Sequence, residues 1–89
     1  MKSPPNIMLR KTANKMVKKA AEEDGVLDCT ELEFASGGVT DELLNSAHEE
    51  DVTLKVKSNS NVSKMIKAYE KIYEEHRKPS MEHTYEMVD

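Results

Sequence analysis

Apolar positions along the chain follow two different periods. Ala13, Met16, Val17, Ala20 and Ala21 recur at i, i+3, i+4, i+7 and i+8, the spacing of one helix face. Thr12 stands where an N-cap belongs and Gly25 where a C-terminal left-handed residue belongs, so the spacing predicts a helix of about three turns. Val62, Met65, Ile66, Tyr69 and Tyr73 repeat the period, with Ser60, Asn61 or Ser63 as cap. That second helix runs to about Glu75, and Pro79 closes it. Between the two, Val52, Leu54 and Val56 alternate with Thr53, Lys55 and Lys57, the period of a strand with one buried and one basic face.

Shorter patterns fill the rest. Ile7 to Arg10 reads as a brief strand. Leu32 and Phe34 alternate with Glu31 and Glu33 as a half-buried strand ending at Ser36, Gly37 and Gly38, which reads as a loop. Thr40 as N-cap, with Asp41 and Glu42 in the first turn, opens a short helix through Leu43, Leu44 and Ala47. MKSPPN, with two prolines, reads as a flexible lead, and SMEHTYEMVD as a polar tail that orders only when docked. The expectation is a lead over 1–6, one α+β domain over 7–78 with two principal helices packed on a short sheet, and a tail over 79–89.

A chain of 89 residues suits one domain, and a domain of this size buries only about 60% of its unfolded surface. With one Phe, three Tyr and no Trp, the core must rest on aliphatic residues and six Met. The net charge of −4 argues against the basic field that drives nucleic-acid binding. Its distribution is uneven, however: Arg10, Lys11, Lys15, Lys18 and Lys19 cluster, residues 55–78 hold most other cations, and acids gather in 22–51 and the tail.

Chemistry-bearing patterns are few. Cys29 is the only cysteine, so no intrachain disulfide or thiolate metal site forms, and a reducing compartment is expected. No apolar run approaches the roughly 18 residues of a membrane span, and the start lacks a signal-peptide core. His48, His76 and His83 lack metal-ligand spacing. AAEEDGVLDCTE resembles a calcium loop, but Ala20 stands where the first oxygen donor belongs, so it reads as a helix end followed by a turn and an acidic strand. Cys29 lies among Asp28 and Glu31, which disfavour its thiolate, and no phosphate loop or nucleophile motif is present. A non-enzymatic protein without cofactor or metal is expected.

NKMVKKA at 14–20 and SKMIKAY at 63–69 share a Lys-Met-aliphatic-Lys pattern, each after a short extended stretch. They read as a repeated unit or as two amphipathic lysine-rich helices of common type.

Read together, KMVKKAAEEDGV, CTELEFASGGVT and DELLNSAHEEDVTLKV resemble the helix and following strands of the small ubiquitin-related modifier (SUMO) family, and TLKVKSNSNVSKMIKAYEKIYEEH resembles its second strand and helix again. The resemblance implies a β-grasp fold, one long helix across a mixed sheet, in an incomplete or rearranged form. The usual first strand is missing, a strand-helix unit is appended, and no Gly-Gly ends the sequence. It also implies a nuclear or cytoplasmic setting and a groove in which a partner segment with a hydrophobic-acidic motif adds beside the second strand. The matching positions are Lys55, Val56 and Lys57 on the strand and Lys64 and Lys67 on the helix. An exposed edge supplies backbone hydrogen bonds and lysines attract acidic flanks, although edge lysines also serve simply to prevent aggregation. A homodimer filling the missing strand is a further expectation. Two other readings stand beside this one: a regulator contacting nucleic acid through the basic helices, and an acidic inhibitor covering a basic target with Glu22, Glu23, Asp24, Asp28, Glu31 and Glu33.

Overall fold

The computed structural model describes residues 1–89. Its elements run β1 (Asn6–Ile7), α1 (Arg10–Glu22), β2 (Val26–Cys29), β3 (Phe34–Ala35), α2 (Gly37–Glu50), β4 (Thr53–Lys57), α3 (Asn61–Glu75) and β5 (Tyr85–Val88). The fold is α+β with three helices and two small sheets, a three-stranded one in the order β2-β4-β5 and a two-stranded one of β1 with β3. Every pairing is parallel. The resemblance implies one long helix across a mixed sheet, whereas these strands are joined through helices and no hairpin occurs, because parallel neighbours need a crossover.

Helices α1 and α3 and strand β4 form where the periods place them. Ala13, Met16, Val17 and Ala20 are the buried face of α1, and Leu54 and Val56 are the buried face of β4. The Ser60 side chain caps α3, accepting from the Ser63 N–H at 3.1 Å. Gly25 adopts a φ of 74° and donates its N–H to the Ala20 carbonyl at 2.9 Å, closing α1 as its position suggests. Thr12 is not the N-cap: α1 begins at Arg10 after an extended Leu9 without a side-chain cap.

Other expectations change. The third helix is not subordinate, since α2 spans 14 residues and packs more extensively on α1 than any other pair of elements does. Its cap is Ser36, whose hydroxyl accepts from the Val39 N–H at 3.2 Å, so Gly37 and Gly38 open the helix instead of forming a loop. A side chain at Gly37 would stand 2.7 Å from the Tyr69 hydroxyl, which gives this glycine a packing reason. The strand expected at 31–34 lies at Phe34–Ala35, with Leu32 buried at the preceding turn and Phe34 turned outward. The tail is built into the fold: β5 pairs with β4, and Met81 and Thr84 are buried. The lead is also ordered, for residues 1–3 join β2 through a Ser3 N–H to Asp28 carbonyl bond of 2.8 Å.

The core lies on one face of the main sheet. Leu27, Cys29, Leu54 and Val56 are buried there beneath helical residues such as Val17, Leu44 and Ile66. On the other face, register sets Asp28, Lys55 and Glu86 side by side, a row that needs water and leaves that face uncovered.

Arg10, Asp41 and Tyr73 tie the helices together. The Arg10 guanidinium meets Asp41 at 3.0 Å, the Tyr73 hydroxyl donates to the same carboxylate, and the Asn45 amide donates to Tyr73 at 3.1 Å. Burial acts to raise the Asp41 carboxyl, but hydrogen bonds from Tyr73 and Arg10 outweigh it and hold it below the ordinary value.

Candidate functional site

Because all main strands run parallel, their carboxyl ends gather on one side of the molecule. Two local turns shape that side. Asp28 ends β2 by accepting from the Thr30 N–H at 3.0 Å and the Thr30 hydroxyl at 2.6 Å. These two bonds, with burial opposing them and Lys2 and Lys55 assisting, hold its carboxyl below the ordinary value. After β4, Asn59 takes a φ of 59° and the Ser60 hydroxyl donates to the Lys57 carbonyl at 2.7 Å while capping α3. One hydroxyl thus fixes both the strand exit and the helix entry.

Between these turns lies a polar hollow of about 680 Å³, bordered by Thr30, Glu31, Glu33, Lys57, Ser60 and Asn61. Glu33 and Asn61 are shared with a second, mostly apolar groove of about 430 Å³ that runs between β3 and the first turns of α3. Phe34, Ala35, Val62, Met65 and Ala68 line it, with Lys64 at its rim. The two form one trough, polar at the strand ends and apolar along α3. Phe34 is 51% exposed, an unusual position for the one Phe of the chain and one that offers an aromatic wall.

The expected site residues do not stay together. Lys57 and Lys64 both border the trough. Val56 is a core residue at 1% exposure. Lys55 lies on the uncovered sheet face beside Asp28 and Glu86. Lys67 is exposed on α3 but does not line the groove. The larger difference concerns the strand: β4 is central, paired with β2 on one side and β5 on the other, so no segment can add beside it. A strand-helix groove is present, with β3 as its strand wall.

Phe34, Val62, Met65 and Ala68 were not among the expected contacts. Helical spacing marks Met65 as core, and the period of Leu32 and Phe34 turns Phe34 inward. No signal in the sequence separates the two: Leu32, flanked by Glu31 and Glu33, is buried, whereas Phe34, between Glu33 and Ala35, is exposed.

Elsewhere the geometry gives little chemistry. Cys29 is buried and its thiol is pushed up to about 12, chiefly by burial, with Asp28 adding to the effect and a hydrogen bond with Ser3 opposing it. No three His, Cys, Asp or Glu side chains converge where they could hold a metal ion. A hollow of about 300 Å³ beside the end of α3 is bordered by Glu70, Glu74, Glu82 and Lys78. No helix is long and apolar enough to cross a membrane. No family model, curated protein or solved structure matches the chain.

Proposed function

We propose that the protein is a non-enzymatic interaction module that holds a partner's polypeptide segment in the trough between β3 and α3. The observation that carries this reading is the mostly apolar groove itself, lined by Phe34, Ala35, Val62, Met65 and Ala68, with Glu33, Asn61 and Lys64 as its polar members. Burial of an apolar anchor against such a wall supplies affinity. Lys57, Lys64 and the nearby Lys67 favour a partner that carries acids beside its apolar residues.

The turns at Asp28 and Ser60 support the reading because each wall is already held by hydrogen bonds, which lowers the ordering cost of binding. A strand-helix groove is the binding mode implied by the modifier resemblance, with the strand wall moved from β4 to β3. A modifier-like role in a nuclear or cytoplasmic setting rests on that resemblance, and the buried, unpaired Cys29 suits a reducing compartment.

Calorimetric titration with a synthetic peptide, an aliphatic run flanked by glutamates, tests the proposal. Saturable binding is expected, with Phe34→Ala weakening it about tenfold and Lys64→Glu weakening it about threefold. Equal binding by wild type and Phe34→Ala, or preference for a duplex oligonucleotide with steep salt dependence, would overturn it.

A further inference from the structure

The main sheet has two unlike margins. Beyond β2, residues 1–3 add a short parallel stretch: the Ser3 N–H donates to the Asp28 carbonyl at 2.8 Å, and the Asp28 N–H to the Met1 carbonyl at 2.7 Å. Pro4 and Pro5 follow, and residues without an N–H blunt an edge against further pairing. At the opposite margin no strand pairs with the outer side of β5. The Leu54 and Ser58 N–H groups donate to the Thr84 and Val88 carbonyls at 2.8 and 2.7 Å. Alternation along a parallel strand then directs Glu86 toward β4 as well, and turns the N–H and C=O groups of Tyr85 and Met87 outward.

The pleat sets what an added strand would meet. On the uncovered face Lys2, Asp28, Lys55 and Glu86 form one row across four neighbouring stretches, alternately positive and negative. The next place in that row, beyond Glu86, suits a cation. On the helix-covered face the margin ends in half-buried Tyr85 and Met87, an apolar shoulder. Burial, with the Glu70 and Glu82 carboxylates nearby, pushes the Tyr85 phenol above its ordinary value. Acids therefore stand on both sides of β5, Glu86 on one and Glu70 with Glu82 on the other.

A second copy fits this margin poorly. Antiparallel pairing of β5 with itself, centred at Glu86 in the strand, sets Glu86 of one copy directly opposite Glu86 of the other, and like charges directly opposite are destabilising. Head-to-tail joining would need the margin that Pro4 and Pro5 blunt.

We propose that the outer edge of β5 is a strand-addition site for an extended basic segment of a partner protein, in which Lys or Arg alternates with apolar residues. Its cations lie beside Glu86, its apolar side chains lie beside Tyr85 and Met87, and its backbone bonds the outward groups of those two residues. This site is independent of the trough, which lies at the strand ends and uses other residues.

The test titrates the full chain with a short synthetic peptide alternating lysine and valine, following amide shifts and hydrogen exchange. At saturation the Tyr85 and Met87 amides should exchange at least about tenfold more slowly. Glu86→Lys should weaken binding about tenfold, Phe34→Ala should leave it unchanged, and the same peptide N-methylated at alternate residues should not bind. Equal binding by the methylated peptide or by a glutamate-valine peptide would overturn the proposal, as would binding that leaves Tyr85 and Met87 unprotected. Light scattering that shows the chain alone as a dimer, with those two amides already protected, would assign the edge to a second copy and overturn it too.

Discussion

Helices α1 and α3 carry almost the same local sequence, Lys15-Met16-Val17-Lys18 and Lys64-Met65-Ile66-Lys67, yet they use it differently. In α1 both apolar residues are buried, Met16 at 8% and Val17 at 0% exposure, because α2 packs along this helix. In α3 Ile66 is buried at 2%, while Met65 is only partly buried and lines the groove. The two-residue β3 is too short to cover α3 as α2 covers α1. An identical amphipathic pattern is thus core in one place and a candidate contact surface in another, and the deciding factor is the length of the neighbouring element.

The most damaging way to probe this comparison is to truncate the position that both helices bury. Ile66→Ala should cost about 3 kcal/mol and Val17→Ala about 2 kcal/mol, because both leave a cavity under close packing. Urea unfolding would measure both. The next pair should separate the helices: Met16→Ala should cost about 2 kcal/mol and Met65→Ala less than about 1 kcal/mol, with only Met65→Ala weakening peptide binding. Equal losses of stability for the two methionines would mean that the groove is covered in solution.

A smaller effect concerns the carboxylate that holds both helices to α2. Asp41 is bonded by Arg10 of α1 and Tyr73 of α3, and its folded pKa lies below the unfolded value. Its stabilisation is therefore complete above the unfolded pKa of about 3.9 and is lost as pH falls through the folded value. Asp41→Asn should lower stability by about 1 kcal/mol at neutral pH and flatten the acid limb of the stability curve, as read by denaturation at several pH values. The smallest contrast is electrostatic. Lys64→Glu should weaken binding of an acid-flanked peptide about threefold, whereas Lys15→Glu, at the equivalent place on α1, should leave it unchanged.

Legibility followed the strength of local signals. Helices α1 and α3 and strand β4 showed in the sequence because each has a full period of apolar residues and clear end signals. The bounds of strand β2 were hidden, although an acidic strand reads there after the helix exit and turn, because Val-Leu-Asp-Cys has only four residues. Strand β5 was hidden because Tyr-Glu-Met-Val lies in a polar stretch, and its order comes from pairing with β4 at a distance in sequence. The glycines at 37 and 38 misled because loop propensity is local, whereas the Ser36 cap starts a helix there. Of the site, Lys57 and Lys64 were readable as exposed cations near a strand-helix junction. The groove's apolar wall was not, since Phe34 and Met65 look like core residues until the short reach of β3 is known.

The proposed binding places a partner segment on the uncovered flank of α3 and not on its counterpart on α1. An amide-shift titration of the full chain with an acid-flanked aliphatic peptide tests it most directly. Shifts concentrated at Phe34, Ala35, Val62, Met65 and Ala68, with residues 13–20 silent, are the predicted result. Shifts along 13–20 in place of the groove, or a spectrum unchanged at millimolar peptide, would contradict it.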